Sequence, residues 1–438
     1  MDLSAYPTIR VAACDLNGQM RGKRVPGSYG EKLEQGAVRM PISALNLDIL
    51  GADVVDSPLV FATGDADGIL LPTGRGPVPL PWLGTPQPLV PMAMYREDGR
   101  PFMGDPRHVL EAVLARYAAR GWQVMAATEL EFTLIDDSGA TIAPALNPRS
   151  GRRVQSPNIL SMGHLDAFDG FLTALYEGCA AMGIPAQSTT SEAGIGQFEV
   201  TLTHQDALRA ADDTWLFKAL IRGLARQHGM VATFMAKPFD DDAGNGMHMH
   251  FSVLDSEGRN LFDDGTGEGA PLLREAVAGC LAAMRASTLL FAPHANSYDR
   301  LVPGAHAPTA ICWAHENRTA ALRIPGGAPA ARRIEHRVAG GDINPYLSFA
   351  AILGAAMLGI EDALTPPAPI TGNAYDQLLP QLAEDWDSAV ALFETDPRIA
   401  RIFPAELIRN LVLTKRQEMR EMAARPRESH WKTYLETV

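Results

Sequence analysis

This sequence predicts an α+β fold in two unequal parts, on three observations. Short apolar runs broken by Gly and Asp fill the chain to about residue 70. A proline-rich stretch follows, PTGRGPVPLPWLGTPQPLVP, with seven prolines between residues 72 and 91. Beyond about residue 100, segments with helical spacing alternate with segments of strand spacing.

Each element has a local reason. IRVAACDLNGQMRGKRVP predicts two strands joined at an Asn-Gly turn. The proline-rich stretch predicts a linker or an extended edge segment. Asp105-Pro106 predicts a helix start, with an N-cap acid followed by proline in the first turn, and RHVLEAVLARYAARG continues it to Gly121. WQVMAATELEFTLID alternates as a strand. DALRAADDTWLFKALIRGLARQHG predicts an amphipathic helix ending at Gly229, with MVATFMAKP as a strand after it. YLSFAAILGAAMLGI, residues 346 to 360, is too short and too rich in Ala and Gly to span a bilayer and predicts a buried helix.

Composition narrows the function classes. A net charge of −13 disfavours nucleic acid as the main partner. Cys14, Cys179, Cys280 and Cys312 form no CxxC pair, so neither a zinc site nor a disulfide framework is expected. Together with an N-terminus, MDLSAYPTIR, that lacks a signal-peptide pattern, this predicts a reducing cytoplasm and no membrane partner.

Chemistry concentrates in a few short stretches. In TELEF, Glu129 and Glu131 share a strand face with Met125 and Ala127. Two carboxylates on such a face repel unless a cation lies between them; the plain alternative is a solvated strand face. In SEAGIGQFEV, Glu192 and Glu199 bracket a glycine-rich turn, as metal carboxylates or as an ordinary surface loop. In GNGMHMHFS, His248 and His250 share a face if the segment is a strand, and Gly244 and Gly246 admit a ligand close to the backbone. Glutamates with one histidine suit magnesium or manganese better than zinc. Downstream, NSYDRLVPG, ENRTAALRIP and ARRIEHRVAG supply Arg300, Arg318, Arg323, Arg332, Arg333 and Arg337. Arginine favours bidentate recognition of carboxylate and phosphate; the competing reading is an Arg/Glu surface ladder. No GxxxxGK[ST] loop is present to cradle phosphate.

Taken in order, DLNGQMRGKRVP, TELEF, SEAGIGQFEV, FMAKPF, GNGMHMHFS, NSYDRLVPG, ENRTAALRIP, RRIEHR and GDINPYLSFAAILGA resemble the glutamine synthetase family, in its class I-like branch. The resemblance spans nearly the whole chain and is specific as an ordered set. It implies a small N-terminal β-grasp domain over residues 1–100 and a catalytic domain over 101–438, assembled into rings whose active sites are shared between neighbouring subunits. By position it implies Glu131, Glu192 and Glu199 as ligands of one Mg (or Mn) ion and Glu129, His248 and Glu335 as ligands of a second. His250 and Ser252 fall where the family contacts ATP, and Arg318, Arg323 and Arg333 where it binds phosphate. Arg300 and Arg337, with Gly244 beside them, fall where it holds the glutamate substrate. The implied chemistry activates a carboxylate as an acyl phosphate, which an amine then attacks.

The departures concern the amine. In VPGAHAPTA, His306 occupies the place of a glutamate that serves ammonium in true glutamine synthetases. The DGSS-like loop that supplies their second acid is replaced by RMPISALNLDILG, where Asp48 comes later. Ala243 replaces an asparagine that helps hold glutamate. A neutral imidazole accepts a proton but does not attract a cation, so the site suits a larger amine with an apolar body. The leading expectation is therefore a γ-glutamyl–amine ligase, with Arg318 and His306 nearest the reacting atoms and His306 as base or pocket wall. The alternatives are a glutamine synthetase whose ammonium is held by acids such as Asp48 or Asp299, and a non-catalytic structural or regulatory ring. Tyr375, in TGNAYDQLLP, aligns with the family's adenylylated tyrosine and is expected on an exposed loop without a special role.

Overall fold

The structure is a computed structural model that describes residues 1–304 and 307–438. The first hairpin forms as its sequence predicts: Thr8–Cys14 pairs antiparallel with Met20–Pro26. Gly18, at φ 82°, supplies the left-handed residue that the connecting turn needs. The N-terminal sheet runs in the order Met20–Pro26, Thr8–Cys14, Pro88–Tyr95, Asp67–Pro72, Val38–Pro41, with Val78–Pro79 also on Pro88–Tyr95.

The end of the proline-rich stretch is thus no linker or edge. Pro88–Tyr95 is the middle strand of this sheet, with Thr8–Cys14 parallel on one side and Asp67–Pro72 antiparallel on the other. Its prolines are tolerated because neighbours use their carbonyls, as where Thr73 N–H donates to Pro91 O at 3.0 Å. Ile9, Val11, Leu70, Val90 and Met94 form the core beneath the sheet.

Asp105 caps the next helix, accepting from Arg107 N–H, and Pro106–Ala118 follows as its sequence predicts. The second sheet runs Trp313–His315, Leu322–Ile324, Ile334–His336, Met247–Leu254, Gln123–Asp136, Gln197–Asp206, Ala186–Ser191. Val231–Thr233 and Ala143–Pro144 also pair with the long Gln123–Asp136 strand. The strand expected over MVATFMAKP is only Val231–Thr233. Beyond it the backbone turns to side-chain partners: Asn245 Nδ2 donates to the carbonyls of Thr233 and Met235 at 3.3 and 2.9 Å.

Helices cover the far face of this sheet. Every residue from Pro345 to Gly359 is buried, so this apolar segment is the core helix its composition predicts. Its N-cap, Asn344, also donates to Asp15 O at 2.8 Å and so ties the helix to the first hairpin. The C-terminal helix Ala405–Ala423 adds a second tie between the two parts. Its buried Lys415–Glu418 pair, 2.7 Å apart, is completed by Asn17, which accepts from Lys415 at 2.6 Å and donates to Glu418 at 2.8 Å. Burying an ion pair is tolerable when remaining donors and acceptors are satisfied in this way. Among the described residues, no helix is long and apolar enough to cross a membrane.

Candidate active site

Strand register builds the site. Along Gln123–Asp136 one face is core, and the other carries Met125, Ala127, Glu129 and Glu131, half-buried. Directly opposite Glu131 lies Glu199, and directly opposite Glu129 lies His248. One strand further, His250 is opposite Glu335, and Glu335 is opposite Arg323. Opposed residues of antiparallel strands share a face, so one sheet surface collects three glutamates, two histidines, an arginine and the buried Glu335. Glu192, just past strand Ala186–Ser191, joins them from the adjoining turn.

A cavity of about 600 Å³ opens on this surface. Its lining includes Glu129, Glu131, Glu192, Glu199 and His248, and also Gly244, Arg300, Arg318, Arg323 and Arg337. Gly244 is required by close approach: a Cβ there would lie 2.3 Å from Ala236 O and 3.0 Å from Arg300 Cγ. Arg300 is buried and donates to Val338 O at 2.8 Å, which fixes its guanidinium at the cavity wall.

The carboxylates experience the cavity differently. Burial, then the charges of Glu129, Glu131 and Glu192, push Glu199 up to about 9. Burial and Glu131 raise Glu192 as well. Burial also opposes ionisation of Glu129, but two imidazole N–H groups outweigh it and hold this carboxyl well below the usual range. His248 Nδ1 lies 2.9 Å from Glu129 Oε2 and His250 Nε2 lies 3.0 Å from Oε1. Arg333 Nε donates to His250 Nδ1 at 3.2 Å, which leaves Nε2 as the protonated nitrogen. Glu335 is fully buried; despite that burial, His248 and Arg337 keep it ionised, and Arg323 Nη1 donates to it at 2.7 Å.

These donors fit a hard divalent cation. Ligand atoms of Glu129, Glu199 and His248 lie within 4.8 Å of one another, as do those of Glu129, His250 and Glu335. Carboxylates that raise one another's affinity for protons are waiting for positive charge, and an oxygen-rich set favours Mg or Mn. Glu131 and Glu192 border the same cavity outside these two compact triads.

A second cavity, about 380 Å³, adjoins the first and shares Glu129 with it. His250, Ser252 and Arg333 line it, together with Met125, Ala127, His204 and Phe251. Of the expected nucleotide-side residues, His250, Ser252 and Arg333 line this second cavity, while Arg318 and Arg323 line the first with Arg300 and Arg337. The two compact triads divide the expected metal residues differently, with Glu129 in both and His250 in one. His306, with Ala305, lies outside the described residues.

Three readings are corrected by position. Asp48 lies outside the cavity and is a structural acid: it is fully buried, Oδ1 accepts from Leu50 and Ala52 N–H, and Oδ2 accepts from Gln417 at 2.8 Å. Asp299 pairs with Arg427 at 2.6 Å and lines a separate cavity of about 930 Å³ that holds none of the site glutamates. Tyr375 is not an exposed loop residue: it is half-buried, lines the candidate cavity and donates its hydroxyl to Ala307 O at 2.9 Å.

Sequence reasoning passed over Gln197, whose Nε2 donates to Gly244 O at 2.8 Å, to Asn245 Oδ1 at 3.0 Å and to Glu131 at 3.3 Å. Its place two residues before Glu199, on the same strand face, was the available signal. Ile159 and Leu160, which also line the cavity, lie in a segment with no motif of its own.

Fold and site together define an enzyme whose carboxylates and arginines gather in one cavity beside a second, smaller one. Residues 103–434 match the glutamine synthetase catalytic domain, and the chain belongs to the glutamine synthetase family. It is a ligase of that family, similar to enzymes that act on amines. A γ-glutamylputrescine synthetase from Escherichia coli is 39% identical over 86% of this chain and 81% of its own length. A γ-glutamylethanolamide synthetase from Streptomyces coelicolor is 33% identical over 92% of this chain and 86% of its own. The ligand-free structure of GmaS superposes with a TM-score of 0.85 at 28% identity, covering 99% of this chain and 97% of that one. The α+β architecture is thus that of the family.

Proposed function

We propose that this chain is an ATP- and Mg- (or Mn-) dependent ligase that joins the γ-carboxyl of glutamate to an organic amine through an acyl phosphate. The observation that carries the reading is the convergence of four glutamates and four arginines in one cavity that shares Glu129 with the next. The names of the amine-ligating relatives support it further.

In this reading Glu131, Glu192 and Glu199 hold one metal ion and Glu129, His248 and Glu335 another. Bound there, the metal neutralises charge on the phosphoryl group. Arg300 and Arg337 orient glutamate, with Gly244 leaving room for it. His250 and Ser252 contact the nucleotide, and Arg318, Arg323 and Arg333 take up charge on the transferred phosphoryl group. The γ-carboxylate oxygen attacks the terminal phosphorus of ATP, and ADP leaves. The neutral amine nitrogen then attacks the acyl carbon, phosphate leaves with the C–O electron pair, and the nitrogen gives up its extra proton. His306 stands in that reading as acceptor of the proton or as a wall of the amine's pocket.

Residues 1–100 act as a β-grasp domain and 101–438 as the catalytic domain, and the chain assembles into rings with shared active sites. Val55 and Phe61, 66% and 68% exposed, support a subunit contact on the N-terminal part. The four buried, free cysteines support a cytoplasmic location.

The test is phosphate release with ATP, Mg and L-glutamate, comparing ammonium with putrescine, ethanolamine and short alkylamines. An organic amine is expected to exceed ammonium in kcat/KM. Ammonium as the best nucleophile overturns the reading, and silence with every amine points to a ring that does not catalyse.

A further inference from the structure

Ile159 and Leu160 form an unusual feature at the mouth of the candidate cavity. Both line it, yet they are 60% and 68% exposed. Single exposed aliphatics are ordinary, but two adjacent ones over a charged cavity are not. Leu160 also holds φ at 56°, a left-handed conformation that bulky side chains avoid. The segment is held against that strain by Ser191, the residue just before Glu192. Leu160 N–H donates to Ser191 O at 2.8 Å, and Ser161 N–H donates to Ser191 Oγ at 3.0 Å. Ser191 Oγ in turn donates to Asn158 O. The apolar pair is therefore fixed relative to the carboxylate cluster.

The acids among the described residues that line this cavity are Glu129, Glu131, Glu192 and Glu199. All four belong to the proposed metal set.

We infer that Ile159 and Leu160 are specificity-determining residues that receive the hydrocarbon body of the acceptor, and that the acceptor is an aliphatic primary amine selected by its length. The inference rests on the amine-ligase reading above and names the substrate class of that site. A hydrocarbon chain laid over the pair removes both partners from water, whereas ammonium gains nothing from it.

The test compares ethylamine, propylamine, butylamine and ethanolamine with ammonium, by kcat/KM, in the wild type and in two variants. Leu160→Asn removes the aliphatic side chain but suits a positive φ, so the fold is kept. Leu160→Met keeps an apolar side chain. The wild type is expected to gain roughly fourfold in kcat/KM per methylene and to prefer propylamine over ethanolamine. Leu160→Asn is expected to flatten that series through KM for the amine, with KM for ATP and glutamate unmoved, and Leu160→Met to restore most of it. An unchanged series in Leu160→Asn, when the wild type prefers organic amines, overturns the inference alone. A wild type that prefers ammonium overturns the amine-ligase reading and the inference with it. A changed assembly size in Leu160→Asn, with equal loss on every substrate, makes the pair a subunit contact and also overturns it.

Discussion

His250 lies 3.0 Å from Glu129 through its Nε2, while the other oxygen of that carboxylate faces His248. One side chain thereby joins the carboxylate cluster to the second cavity. Glu129→Gln keeps the shape and removes the charge that both imidazoles bind. It is expected to lower kcat by about 100-fold or more, the scale of losing one charge-positioning group at a reacting centre. It should also weaken Mg-dependent ATP binding measured by calorimetry. Intact binding with full turnover would show that the bridge is incidental.

Glu199 makes the metal-free protein sensitive to pH. Its folded pKa, about 9, lies above its ordinary value of 4.5. Between those limits the folded state therefore holds more protons than the unfolded chain, and stability falls as pH rises through the window. Glu192 is shifted the same way. Chelator-treated protein should melt several degrees lower at pH 8.5 than at pH 6, and added Mg should recover the difference. Glu199→Gln should remove most of the pH dependence. A chelated protein equally stable at both pH values would contradict the repulsion argument.

Much of this site was legible because strands have period two. Glu129 with Glu131 and His248 with His250 could be placed on common faces from spacing alone, and the strands bear those pairings out. The sequence does not carry register: that Glu199 falls opposite Glu131 and Arg323 opposite Glu335 depends on how separate strands slide against each other. Prolines misled at Pro88–Tyr95, because a central strand tolerates them where neighbours need only its carbonyls. Asp48 reads as a candidate ammonium ligand from sequence alone, because nothing local shows that the distant Gln417 binds its carboxylate. Tyr375 looked exposed because its turn is polar, and only the fold brings Ala307 to its hydroxyl.

Arg300 tests the substrate side. It is 4% exposed and anchored by Val338 O, and a Cβ on Gly246 would meet its Nη2 at 2.7 Å. A lysine ammonium cannot bridge a carboxylate with two parallel N–H groups while keeping the anchor. Arg300→Lys is expected to raise KM for glutamate by about 10- to 100-fold, the loss of one or two charge-assisted hydrogen bonds. KM for ATP should move less, because His250, Ser252 and Arg333 line the other cavity and only Arg318 and Arg323 share this one. Initial rates with each substrate varied in turn decide it, and an equal rise in both KM values would indicate a disturbed fold.

Phe61 tests assembly. It closes the short helix Pro58–Phe61, which Ser57 caps, and leaves its ring 68% exposed. With Val55 on the same segment 66% exposed, this ring is apolar area that a neighbouring subunit would cover in the proposed assembly. Phe61→Ser removes apolar area without touching the cavity of its own chain. Sedimentation should then detect smaller species at micromolar concentration, and activity should fall in step with dissociation if neighbouring subunits complete each site. Full activity in a dissociated variant would mean that each chain carries a whole site. An unchanged assembly would place the subunit contact elsewhere on the N-terminal part.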